Sequence, residues 1–207
     1  MPIRYKLTDR GCWTYGGFLW PEPNEEKPGK WVKVSGVGGL CGPGWFHFYD
    51  NPLLAVLHNL VHASIVNPRL WKAEVAGREL RDGQLKCGWT RARLVQELPL
   101  PEITTTQRVA YGILCAREVV TNPTWIAWAD AWLSGADRTR EAATRVLWVS
   151  ERVAAGYAAE AAIGLATDAG VLVYVAVAQA AQAAQGAAMN RGDNLNLLVL
   201  AKKALKY

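Results

Sequence analysis

Histidine is scarce in this chain, and two of the three copies, His58 and His62, stand four residues apart. On a helix that spacing puts both imidazoles on one face, where a metal ion could be gripped. Completing such a site would require His47, Cys41 or Cys87 from elsewhere in the chain. The intervening Asn59-Leu60-Val61 lacks the glutamate of a metalloprotease helix, so two partly buried histidines at a helix edge are the plainer expectation. No metal and no cofactor are assigned. A second feature is Gly36–Gly44, with five glycines and a proline. Backbone amides in such a stretch could cradle phosphate. It lacks the Gly-Lys-Ser/Thr ending of a P-loop, and an irregular tight turn is the simpler reading.

The third feature is ten tryptophans. Trp13, Trp20, Trp31 and Trp45 fall in turn-rich sequence and could line a groove; with Arg and Lys beside them, such a groove stacks on a base or nucleotide. Trp71, Trp125, Trp128, Trp132 and Trp148 are expected in the core. No GxSxG nucleophile motif occurs, no Cys–His pair can be brought together from spacing, and Glu25-Glu26 reads as solvated loop charge. No catalytic residue is therefore assigned. The candidate ligand face comprises Trp31, Trp45, His47, His58, His62 and Arg69.

The elements that must position these residues change character near residue 103. Before it, short strands are expected at Arg4–Thr8, Phe18–Trp20, Trp31–Val34 and Trp45–Tyr49, with a turn at Gly16-Gly17 and a proline-rich loop over Pro21–Gly29. Asp50 or Asn51 caps a helix over Pro52–Ala63, with Leu53, Val56, Leu57, Leu60 and Val61 on its apolar face. Strands follow at Leu70–Ala76, Leu85–Trp89 and Ala92–Leu98, with a hairpin turn at Arg81-Asp82-Gly83. Beyond Leu98-Pro99-Leu100-Pro101 the period becomes helical. Thr104-x-x-Gln107 is a capping box opening a helix to about Val120. Asn122-Pro123 starts a second helix bearing Trp125, Trp128 and Trp132 on one stripe, and Ser134-Gly135 ends it. A third runs from a cap at Asp137 toward Thr167, a fourth over Ala169–Met189, and a last one from a cap at Asp193. The fold class is α+β: a small sheet-plus-helix half, 1–103, then an all-helical, alanine-rich half, 104–207.

The chain carries 207 residues and a net charge of +5. Lys and Arg outnumber Asp and Glu by 13 to 10 over residues 1–103 and by 10 to 8 over 104–207, so the excess is spread thinly. A nucleic-acid binder concentrates such charge, and that class is not favoured. Four scattered cysteines, Cys12, Cys41, Cys87 and Cys115, form neither a disulfide framework nor a zinc ribbon, and buried free thiols in a reducing cytosol are expected. Met1–Asp9 has no apolar run and reads as no secretory leader. Ala169–Asn190 is long enough to cross a bilayer, but its alanines and the ridge Gln179, Gln182, Gln185 suit a packed soluble helix instead. Such alanine-rich helices need tight packing, and self-association through them is expected.

The run Cys41-Gly42-Pro43-Gly44-Trp45-Phe46-His47-Phe48-Tyr49-Asp50-Asn51-Pro52 resembles a domain of unknown function found in phage and prophage proteins, with a Cys-x-x-Gly-aromatic-His segment before a short helix. Tyr5-Lys6-Leu7-Thr8-Asp9, Trp71-Lys72-Ala73-Glu74-Val75-Ala76-Gly77 and Val95-Gln96-Glu97-Leu98 are similar to its other segments, so the resemblance spans about residues 4–103. The continuation from Glu102 to Ile113 and the helical tail resemble the alanine-rich C-terminal regions of such proteins. The resemblance implies a phage-encoded accessory protein in the cytosol of an infected bacterium. It would act without catalysis, by blocking a host defence protein or sequestering a nucleotide-like ligand. One alternative is an ADP-ribosyltransferase-like, NAD-using enzyme, to whose fold Gly44–Ala55 is faintly similar; His47 would touch the ribose and Glu74 or Glu97 would stabilise the cation. Another is an oligomeric scaffold.

Overall fold

The structure, a computed structural model, describes residues 1–14, 17–150 and 153–207. The chain divides into two compact units, Met1–Pro101 and Glu102–Tyr207. The described strands and one helix fall in the first unit and the other described helices in the second, an α+β arrangement.

In the first unit, β1 (Ile3–Thr8) lies antiparallel to β6 (Arg69–Asp82), which forms a long hairpin with β7 (Lys86–Leu98). The hairpin turns where the Leu85 N–H donates to the Asp82 carbonyl at 2.9 Å. Short strands β4 (Val32–Lys33) and β5 (Phe46–Phe48) both pair with the far side of β7, and β2 (Trp13–Thr14) with β3 (Phe18–Leu19) makes a separate ribbon. Tyr49, just past β5, then exchanges two backbone hydrogen bonds of 2.9 Å with Tyr5 of β1. The order β1–β6–β7–β5 thus returns to β1, and the sheet closes into a small barrel. Closure needs strong bending. A bulge between Ala76 and Glu79 supplies it, at Gly77 with φ +86°. A Cβ there would lie 2.3 Å from Thr90 Oγ1, the atom that accepts the Arg78 N–H, so the bulge requires glycine.

Alternation along β6 sends Trp71, Ala73 and Val75 inward, where they meet Trp20, Phe46, Phe48, Cys87 and Leu94. The glycine-rich segment between β4 and β5 packs on Gly88, whose added Cβ would stand 2.4 Å from Leu40 Cδ1. Arg78 fixes that segment by donating to the carbonyls of Ser35 (2.9 Å) and Gly36 (2.8 Å). Helix α1 (Pro52–His62) is capped by Asn51, whose side chain accepts the Leu53 N–H.

The second unit holds α2 (Thr105–Arg117), α3 (Pro123–Ser134), α4 (Arg140–Trp148), α5 (Val153–Ala166), α6 (Val171–Met189) and α7 (Leu197–Ala204). Both halves of the Thr104–Gln107 capping box are made. Asn122 caps α3, and Gly135 at φ +81° ends it. α2, α5 and α6 pack on one another through small residues: Ala155, Ala158, Ala162, Ala180, Ala181 and Ala184 are almost wholly buried. Trp125 spans this core and donates from Nε1 to the Ala155 carbonyl at 3.2 Å. By length and composition α6 could cross a bilayer; half of its apolar window is buried, and buried Gln185 donates to Asn194 Oδ1 at 2.8 Å.

Several expectations are corrected. Leu85–Trp89 and Ala92–Leu98 are one strand, because the bulge at Gly77 lets β6 follow β7 past the break in its pattern. α1 buries Leu54, Ala55, Leu57, His58 and Asn59, not the face centred on Leu53, Val56 and Leu60, since the polar His58 and Asn59 find buried partners. Thr139 rather than Asp137 caps α4; the Asp137 carboxylate instead accepts from Thr139 N (3.0 Å) and Oγ1 (2.6 Å). The third helix expected from Asp137 toward Thr167 is two helices, α4 and α5, with residues 151 and 152 outside the described set. Asn196, not Asp193, caps α7. Trp148, expected in the core, is 84% exposed. Cys41 is exposed, whereas Cys12, Cys87 and Cys115 are buried free thiols. The Gly16-Gly17 turn falls partly on Gly16, which lies outside the described residues.

Candidate functional site

The polar residue at the centre of β1 points the wrong way for a surface lysine. Lys6 pairs with Trp71 across the β1–β6 ladder, so both side chains share the inward face. Its Nζ donates to the His47 carbonyl at 2.9 Å and lies 5.4 Å and 5.5 Å from the ring centroids of Trp20 and Phe48. Carbonyl and ring faces favour an ammonium. Burial outweighs them and pushes the Lys6 pKa down to about 7. No carboxylate pairs with it among the described residues.

Lys6 lines a cavity of about 310 Å³. A second largely buried lysine, Lys86 at the start of β7, enters it and donates from Nζ to Cys41 Sγ at 3.3 Å. His47, from β5, donates from Nε2 to the Leu40 carbonyl, tying the glycine-rich segment to the sheet. Burial, with Lys6 and Lys86 nearby, pushes its pKa down to about 4, so the ring is neutral at pH 7. Tyr49, His62 and His58 form an aromatic ladder. Tyr49 and His62 stack at 6.0 Å and 15°, and His62 and His58 at 5.4 Å and 29°. The Tyr49 hydroxyl is 3.2 Å from His62 Nδ1. Burial keeps His58 at a pKa of about 4, and burial together with His58 and Lys86 lowers that of His62 to about 3. Burial also pushes the Tyr49 pKa up, so its phenol stays protonated. With Tyr49 donating to Nδ1, His62 carries its proton on Nε2, a buried nitrogen without a hydrogen-bond partner among the described residues.

The chain leaving α1 adds Ala63 and Ile65 to the lining. Ser64 and Asn67 adopt positive φ, +52° and +50°, which costs energy for non-glycine residues. Asn59 holds the bend: its Nδ2 donates to the Ile65 carbonyl (2.8 Å) and its Oδ1 accepts the Ile65 N–H (3.2 Å). Ile65 and Thr14 are shared with an adjoining surface groove, where Trp13 is 44% exposed.

Of the residues expected at a ligand face, Trp45, His47 and His62 line the cavity, and His58 stacks behind His62. Trp31 stands apart, with the guanidinium groups of Arg91 and Arg93 at 5.2 Å and 5.1 Å from its ring. Arg69 is likewise elsewhere, over Trp71 at 4.4 Å and ion-paired to Glu22 and Glu97. Glu97 and Glu74 are each held by an arginine, Arg69 and Arg93, and neither lines the cavity. Sequence reasoning missed Lys6, Lys86 and Tyr49. No local signal marked Lys6, which with Arg4 and Thr8 makes the polar alternation of an ordinary half-exposed strand. Among the described residues no group of three or more His, Cys, Asp or Glu side chains is placed to hold a metal ion.

The described groups that line the cavity therefore include two lysines, two neutral imidazoles, a phenol and a thiol, set in aromatic and aliphatic walls, with no carboxylate. That combination suits an anionic or electron-poor group carried on an apolar body. No family model matches the chain, and neither a curated protein nor a solved structure does.

Proposed function

We propose that the first unit binds a small anion with an aromatic or apolar body, nucleotide-like in character, and that the protein acts by sequestering it. One observation carries this reading: two lysines and two imidazoles line the described cavity, and no carboxylate does. The cavity volume of about 310 Å³ lies at the lower end of small-ligand sites. Trp45, Phe18 and Phe46 offer the apolar contact, and Lys86 the charge. In the setting that the phage resemblance implies, removing such a molecule would deprive a host enzyme or signalling route of it. The ADP-ribosyltransferase alternative finds less support, since Glu74 and Glu97 sit away from His47 in ion pairs of their own.

The test is calorimetric titration with mononucleotides and aromatic carboxylates, against the matching nucleosides and aromatic amides. Saturable binding of the anions, weakened about tenfold or more in Lys86→Met, is expected. Equal binding of charged and uncharged partners would remove the basis of the proposal.

A further inference from the structure

The cavity contains a feature that anion binding alone does not require. A lysine placed to hold an anion usually reaches it from the rim, where water keeps the amine charged. Lys6 instead emerges from the inward face of β1 between two aromatic rings, with one hydrogen bond, to a backbone carbonyl, and no acidic partner among the described residues. An amine so placed keeps its lone pair for a carbon electrophile, as Schiff-base lysines do. We propose that the Lys6 amine condenses with the carbonyl carbon of an aldehyde or 2-oxo acid held in this cavity, forming an imine. This rests on the reading of the cavity as an anion site, with Lys86 receiving the carboxylate.

The step balances without a further reactant. Nζ bonds to the carbonyl carbon as the C–O π bond opens, and a proton moves from nitrogen to oxygen, giving a carbinolamine. The second amine proton leaves with the hydroxyl as water, and the C=N bond forms. Tyr49 and His62, joined by the hydrogen bond from the Tyr49 hydroxyl to Nδ1, line the same cavity. The lowered pKa of Lys6 agrees with the geometry. An ordinary lysine, with a pKa of about 10.4, is only about one part in a thousand neutral near pH 7.4.

The experiment is reductive trapping. The full chain is incubated near neutral pH with 4-formylbenzoate and cyanoborohydride, and the lysines are mapped by peptide mass spectrometry. In parallel, benzoate, which has the anion but no carbonyl, is titrated calorimetrically. Lys6 is expected to carry about tenfold or more label than exposed Lys27, Lys30 or Lys33. Lys6→Gln should lose that label, and Lys33→Gln should keep it. Labelling should follow a single ionisation near pH 7. If benzoate binds and Lys6 is labelled no more than the exposed lysines, the imine is overturned while the anion site stands. If neither compound binds, both readings fall. Should Lys6→Gln fail to fold, competition by benzoate against labelling of the unaltered chain decides the point: protection of Lys6 alone supports the imine site, and uniform labelling overturns it.

Discussion

The two units solve the problem of a core in opposite ways. The first fills its barrel with large aromatic rings and tolerates Lys6, His58 and Lys86 inside or against it. The second packs alanine on alanine, and Gln185 is the one polar residue buried there among those described. Buried titratable groups cost stability, and a fold keeps them where they serve a site. Alanine cores allow close helix approach, and the cavity lined by Lys6 and Lys86 belongs to the first unit.

The largest effect should come from removing the buried amine. Each pH unit by which folding displaces a pKa is worth about 1.4 kcal/mol. Lys6 titrates at about 7 when folded and near 10.4 when unfolded, so between those values the unfolded chain binds more protons and stability rises with pH. The cost is fully present below pH 7. Lys6→Met should raise the urea midpoint at pH 7 by an amount equivalent to several kcal/mol and flatten the rise between pH 7 and 10. An unchanged midpoint would show that the barrel solvates this amine.

Next in size is acid sensitivity. The folded pKa values of His47 and His58 are about 4 and that of His62 is about 3, all below the unfolded value near 6.5. Their contribution is present above pH 6.5 and is lost as pH falls through about 4 for His47 and His58 and about 3 for His62. Amide exchange of β1, β5 and α1 should accelerate over that range while α5 and α6 hold, and His58→Phe should blunt the change. Equal acceleration in both units would erase the contrast.

Overpacking should act on the second unit alone. Ala181→Leu places a bulky chain on the fully buried side of α6, at a cost of about 1–3 kcal/mol that does not depend on pH between 5 and 9. Thermal unfolding at two pH values measures it. The smallest effect belongs to Trp148→Ser. At 84% exposure it should change stability by less than about 0.5 kcal/mol, and a larger loss would mean that Trp148 is covered in solution.

The helical unit was the more legible in sequence, because its signals are local. Thr104-x-x-Gln107, Asn122-Pro123 and Gly135 mark ends within a few residues of themselves. Asp137 and Asp193 misled because a nearby Thr139 and Asn196 were better placed to accept from the first turn. In the barrel, the strands could be read but not their closure, which depends on Tyr5 meeting Tyr49. The candidate site was half visible. Trp45, His47 and His62 stand out by residue type, whereas Lys6 looks like any strand lysine until its partner across the ladder proves to be Trp71. Trp31 and Arg69 were chosen on type alone, and the sheet register carried them elsewhere.

Pairing of β1 with β6 has a consequence for synthesis. Ile3 must wait for Glu74. At about 5–20 residues per second, a ribosome takes several seconds to deliver the partner strand, and β7 emerges later still. During that interval the first strand has an unpaired edge and the amine of Lys6 sits in water. The nascent chain therefore has an ordinary lysine there, and the cavity, with whatever reactivity it confers, comes into being only when the hairpin folds back over the N-terminus.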